Sequence, residues 1–179
     1  ALRYWKLYPQ IFQNTFIKAF TVGLKDPKAR VTEAEWLESL SGLRNSLFRC
    51  TCGTPNFYDV ETISANGKPN ACWGCGKVPQ LPFRIKIGKS IVMLNFDTKL
   101  HPHHLGVLSG GDYDFSTDSA EVTQHPSDPS KWGLKNLTDT KWVITLPDGS
   151  VRDVEPGKNV PLANGVKIQF GKTDGEIRY

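Results

Sequence analysis

Sulfur is scarce in this chain of 179 residues, with four cysteines and one methionine. Long apolar runs are missing too. None approaches the roughly 20 residues that a membrane-spanning helix needs, and the first residues lack the charged and apolar pattern of a secretory signal. Four cysteines do not make the dense framework of a small secreted scaffold, so a reducing cytoplasm is the expected compartment. Wholesale disorder is excluded by 39% apolar and 22% charged residues. The net charge of +4 is uneven, since residues 1–100 hold 14 Lys and Arg against 7 Asp and Glu. A basic front half can meet nucleic acid or an acidic protein surface; spread over a hundred residues, the same surplus forms no patch at all. The chain opens at Ala1 without an initiator methionine and enters an amphipathic helix almost at once, as a fragment cut from a longer protein does.

What sulfur there is comes in two close pairs, Cys50-Thr51-Cys52-Gly53 and Cys72-Trp73-Gly74-Cys75-Gly76. Two short cysteine turns can converge on a tetrahedral zinc ion, and Gly53 and Gly76 let the chain turn tightly behind them. Between the pairs, residues 57–60 read as a strand and Asn66-Gly67 as a hairpin turn. The pattern looks like a zinc ribbon with Cys50, Cys52, Cys72 and Cys75 as ligands. The alternatives are two disulfides or four unrelated core thiols. Four cysteines fill the coordination sphere and leave no position for a reacting water, so such a zinc is structural.

Ahead of the cysteines, Phe12, Phe16, Phe20 and Leu24 recur at helical spacing, with Gly23 marking the end. Thr32-x-x-Glu35 is a capping box that opens a second helix, with Trp36, Leu37, Leu40, Leu43 and Leu47 on one face. The run from Ala19 to Leu37 resembles the end of a protein kinase catalytic lobe, where Asp26, Pro27, Arg30, Thr32 and Glu35 match a D-P-x-x-R-P-T-x-x-E pattern. The motifs that hold nucleotide and magnesium are absent, so the chain is not expected to be an enzyme.

From residue 83 the pattern has period two. Strands are expected over 83–87, 91–96, 120–124, 132–137, 141–146, 151–154, 166–170 and 176–179, with turns at Pro147-Asp148-Gly149, Asn164-Gly165 and Asp174-Gly175. Gly133 to Thr138, Val154 to Gly157, Val160 to Leu162 and Gly165 to Gly171 resemble the second half of a forkhead-associated (FHA) domain. That family reads phosphothreonine with an arginine after a glycine and a serine near a histidine. Here Lys89 follows Gly88 and residues 99–105 hold no serine, so that reading is not expected. The expected fold class is α+β: a helical pair over 1–48, a zinc ribbon over 49–78 and an all-β FHA-like sandwich over 79–179.

In that order the modules resemble the C-terminal region of bacterial serine/threonine kinases in tellurite-resistance-associated triads, with a von Willebrand A-type protein and a metal-dependent phosphatase. The resemblance implies a non-catalytic region that docks a folded partner, the A-type protein first and the phosphatase second. A-type domains complete a divalent metal with a partner's carboxylate, which points to the acidic loop with Asp112, Asp114 and Asp118; that loop can equally be a solvated connection. Trp73, inside a cysteine turn, is the candidate aromatic anchor. The alternative function is nucleic-acid binding by the ribbon with Arg44, Arg49, Lys68 and Lys77. His101, His103 and His104 offer a second metal site or a packed loop cluster.

Overall fold

Thr32 and Glu35 close the capping box the sequence predicts: the Thr32 amide donates to Glu35 Oε2 at 2.8 Å, and the Glu35 amide to Thr32 Oγ1 at 3.3 Å. In this computed structural model, which describes residues 2–107 and 113–179, that box starts α3, Glu33–Asn45. The second oxygen of Glu35 meets Lys18 Nζ at 2.5 Å, tying α3 to α1, Gln10–Phe20. The chain divides into two compact units, residues 1–81 and 82–179. Helix and antiparallel sheet are mixed, which makes the chain α+β.

In the first unit a train of aromatic rings runs along α1. Trp5, Tyr8, Phe12, Phe16 and Phe20 follow one another at 5–6 Å, and Trp36 meets Phe16 edge-on at 5.4 Å. The broad buried face expected of this helix is cut short. Phe12 is buried, but Phe20 is 61% and Leu24 68% exposed. The helix breaks at Thr21 (φ −123°, ψ −86°) before a single turn, α2, Val22–Lys25, so Leu24 leaves the stripe begun by Phe12. Gly23 lies inside that turn because a Cβ there would press to 3.1 Å on the Lys18 carbonyl. In α3 the buried side chains are Ser39, Ser41 and Asn45, while Leu37 and Leu40 stay exposed.

Strand β1, Leu47–Arg49, pairs antiparallel with β2, Pro55–Phe57. The strand expected over 57–60 ends at Phe57, and the hairpin at Asn66-Gly67 is replaced by a helix, α4, Val60–Asn66. Gly67, at φ 69° and ψ 0°, caps it and donates its amide to Ile63. Asn-Gly suits both roles, because a hairpin turn and a helix C-terminus each require a left-handed residue.

The described residues of the second unit form ten strands: β3, Arg84–Ile87; β4, Ser90–Met93; β5, Lys99–Leu100; β6, Ala120–His125; β7, Asp128–Asn136; β8, Trp142–Thr145; β9, Val151–Val154; β10, Asn159–Pro161; β11, Lys167–Gln169; and β12, Asp174–Arg178. They form two antiparallel sheets, in the orders β4-β3-β12-β11-β8-β9 and β10-β7-β6-β5. Ile85, Trp142, Ile144, Ile168 and Ile177 from the first share one core with Leu100, Val122, Leu134 and Val160 from the second. Ile85 and Ile87 are buried while Lys86 between them is exposed, as strict alternation requires. Two short strands, β5 and β10, have no counterpart among the expected ones. Asp174-Gly175 is strand, not turn, and Gly175 leaves room for Ile85 and Phe170, each 2.9 Å from where its Cβ would stand.

Lys18, with help from Thr32, holds Glu35 at a pKa of about 2 against an ordinary 4.5. A depressed carboxylate stabilises the fold above its unfolded value, and the contribution fades as pH falls from about 4.5 towards 2. Glu35→Gln keeps an acceptor for the cap and removes the charge. Its urea midpoint, followed by amides of residues 10–45, is expected below wild type at pH 7, with the gap closing below pH 4.5. A gap independent of pH would show that Lys18 contributes nothing.

Candidate metal centre

Each cysteine pair sits on a turn made by the same device. The amide of Cys50 donates to the Thr54 carbonyl at 2.9 Å, and the carbonyl of Cys50 accepts from Gly53 at 2.8 Å. In the second turn the Cys72 amide donates to Lys77 and the Cys72 carbonyl accepts from Gly76, both at 2.8 Å. The second turn is the first with one residue added, which is why C-x-C and C-x-x-C present their sulfurs alike. Gly53 and Gly76 both adopt the left-handed backbone, at φ 85° and 73°.

The two turns bring all four sulfurs within 4.8 Å of one another. Cys50 Sγ lies 3.8 Å from Cys75 Sγ, and Cys52 Sγ lies 3.7 Å from Cys72 Sγ. A disulfide needs about 2.05 Å, so neither pair is bonded. A tetrahedral ion at about 2.3 Å from each sulfur requires edges of about 3.8 Å, so the donor set fits such an ion. The four cysteines named from the sequence are the ones brought together.

The thiols pull against one another. Burial opposes ionisation of Cys72, yet the Cys75 amide, the Asn56 side chain and the Gly74 amide bring it down to about 6. The Thr54 hydroxyl, then its amide, lowers Cys52. At Cys75 the Lys77 amide favours the thiolate, but Cys52, burial, Cys50 and Cys72 together push it up to about 11. Polar groups prepare Cys52 and Cys72 for negative charge, and Cys75 is held back by its neighbours. A bound cation removes that conflict, because each thiolate then faces positive charge.

Three supporting residues escaped the sequence reading. Asn56 is buried on β2 and points its amide at Cys72 Sγ across 3.5 Å. Thr54 Oγ1 stands 3.2 Å from Cys52 Sγ. Gly74 is where the two turns touch, and a Cβ there would come within 2.3 Å of Thr54 Oγ1. Only the glycine is conspicuous in the sequence, and its role depends on the other turn.

Trp73 is 49% exposed, with its indole N–H donated to the Pro55 carbonyl at 2.7 Å and Tyr4 edge-on at 5.8 Å. The four basic residues named with the ribbon, Arg44, Arg49, Lys68 and Lys77, are exposed. The acidic candidates lie in the second unit, and Asp112 falls outside the described residues. Asp114 accepts from the Ser116 amide at 2.8 Å, and Ser116, through its hydroxyl and then its amide, holds it below its ordinary value. Asp118 pairs with Lys99 at 2.5 Å and lies 3.6 Å from His101 Nδ1. No protein-family model, curated protein or solved structure matches the chain.

One metal ion per chain is expected in elemental analysis, and none after Cys72→Ser. Loss of the metal should collapse the amide spectrum of residues 49–78 while the amides of the second unit keep their positions. Gly74→Ala, by forcing Thr54 away, is expected to weaken retention against a chelator by roughly 10-fold or more. Equal retention would mean that the contact between the turns does not matter.

Proposed function

We propose that this chain is a non-catalytic protein-interaction region of a bacterial serine/threonine kinase, organised by a structural zinc ion. Zinc is the reading for the ion because an all-thiolate, four-coordinate set suits it and leaves no open position for chemistry. The observation that carries the interaction reading is apolar surface on the helical unit. Phe20, Val22, Leu24, Leu37 and Leu40 are each at least 40% exposed, and Trp73 is 49% exposed with its ring pinned on two sides. Soluble chains rarely leave so many large side chains uncovered on a unit of this size unless another protein covers them.

The closed capping box and the Asp26-Pro27 turn, where Asp26 accepts from the Lys28 amide at 2.9 Å, support the kinase-tail reading. A two-sheet antiparallel sandwich supports the FHA-like reading of the second unit, with Lys89 in the β3–β4 turn in place of the family's arginine. The partner proposed is the von Willebrand A-type protein of the triad, with the metal-dependent phosphatase second. Asp114 and Asp118 remain the carboxylates offered to an A-type metal, although each already has a partner within its own unit. Nucleic-acid binding is the second reading, favoured by the exposed Arg44, Arg49, Lys68 and Lys77.

Calorimetry of the full chain with the A-type protein tests the first reading. Phe20→Glu and Leu24→Glu are each expected to weaken binding by roughly 10-fold, as for a buried interface anchor. Asp114→Ala and Asp118→Ala should matter only with magnesium present. Absence of any binding rejects the docking reading. Affinity for single-stranded nucleic acid that falls steeply with salt would favour the second.

A further inference from the structure

The turn Pro102–Leu105 follows β5 and carries His103 and His104, with His101 just before it. The three rings form a cluster, with centroids 4.0 Å apart for His103 and His104, 5.9 Å for His101 and His104, and 6.0 Å for His101 and His103. His101 and His104 are buried. Each ring makes its Nδ1 contact with the backbone, and among the described residues only the cysteines bring three or more ligand atoms together.

Those backbone bonds assign the protons. His101 Nδ1 lies 2.8 Å from the Thr117 carbonyl, and His103 Nδ1 lies 2.9 Å from the Asp114 carbonyl. A carbonyl only accepts, so both rings carry hydrogen on Nδ1. His104 is the reverse, because its Nδ1 accepts the His101 amide at 3.0 Å and must be bare. One turn thus grips the segment Tyr113–Asp118 at two carbonyls, and Phe115 from that segment packs edge-on against His103 at 4.7 Å and His101 at 5.0 Å.

His101 faces Asp118, 3.6 Å away, and Asp114 acts on both His101 and His103. Lys99 on β5 opposes them, since it pairs with Asp118 and also feels Glu121 on β6. Tyr113 stands 5.4 Å from His103, and Lys172 borders Gly106 at the end of the turn. A charge on His101 is therefore partly matched. The His103 and His104 rings stand 4.0 Å apart beside it. A proton taken by His104 must go to Nδ1, where it meets the His101 amide donor head-on.

We propose that His101, His103 and His104 form a proton-sensitive clamp on the segment Tyr113–Asp118, closed while His104 is neutral and opened when His104 takes a proton on Nδ1. The released form binds that proton and the clamped form does not. The clamp is therefore complete above the ordinary histidine value of about 6.5 and is lost as pH falls below it. This holds whether or not Asp114 and Asp118 dock a partner.

The test is nitrogen-15 relaxation on the full chain at pH 7.5 and pH 5.0. Order parameters of residues 114–118 are expected to fall from about 0.85 to below roughly 0.6 at the lower pH, while core amides such as Ile168 stay rigid. His104→Asn keeps an acceptor for the His101 amide but cannot be protonated, so its segment should stay ordered at both values. Ring nitrogen shifts of the wild-type protein at pH 7.5 give a check that needs no variant: hydrogen on Nδ1 of His101 and His103 and on Nε2 of His104. A segment equally ordered at both pH values, a His104→Asn chain that loosens as wild type does, or a different set of ring protons would each overturn the clamp.

Discussion

Four sulfurs held within 4.8 Å of one another cannot all carry negative charge without something positive among them. The first unit is built around that constraint. Amides from two turns, the Asn56 side chain and the Thr54 hydroxyl all favour thiolates, yet Cys75 is forced up to about 11 by its three neighbours and burial. The polypeptide thus assembles a site that is electrostatically incomplete by itself. A metal ion could complete it, and binding energy of that kind would become folding energy for a module with little core of its own. The two turns meet at Gly74, where a Cβ would come within 2.3 Å of Thr54 Oγ1.

The second unit depends on a different force. Its two sheets share a continuous apolar core from Ile85 to Ile177 that includes a fully buried tryptophan, Trp142. Its polar devices lie at the margins. Asn136, buried beside β8, bonds the carbonyls of Thr140 and Val154 and receives Thr138, so a single side chain fixes the connection from β7 to β8. The histidine turn after β5 does the same for an acidic segment with ring nitrogens in place of an amide. Unlike asparagine, those rings can change charge near neutral pH.

The helical unit shows how local strength and incomplete burial coexist. Glu35 serves its own helix through Thr32 and a second helix through Lys18, and the aromatic train from Trp5 to Trp36 adds ring contacts between them. Much of the apolar surface that periodicity assigns to a core nevertheless faces outward. The break at Thr21 turns Leu24 away, and in α3 Ser39, Ser41 and Asn45 are buried while Leu37 and Leu40 face out. This mismatch between pattern and burial is the observation behind the proposed docking of another surface.

By itself the sequence determined what is local: the capping box, the period-two strands, and the four cysteines as one ligand set. Each depends on residues a few positions apart, where sterics and hydrogen bonding leave few choices. Tertiary structure decided whatever depends on distant partners. Asn66-Gly67 became a helix cap because α4 precedes it, and Asp174-Gly175 became strand because β3 and β11 flank it on both sides. Asn56 met Cys72, Gly74 met Thr54 and the histidine turn met Thr117 only after the chain had folded back across more than a dozen residues. Backbone propensity acts within a turn of chain, but contacts of this kind are set by packing, which no local pattern encodes.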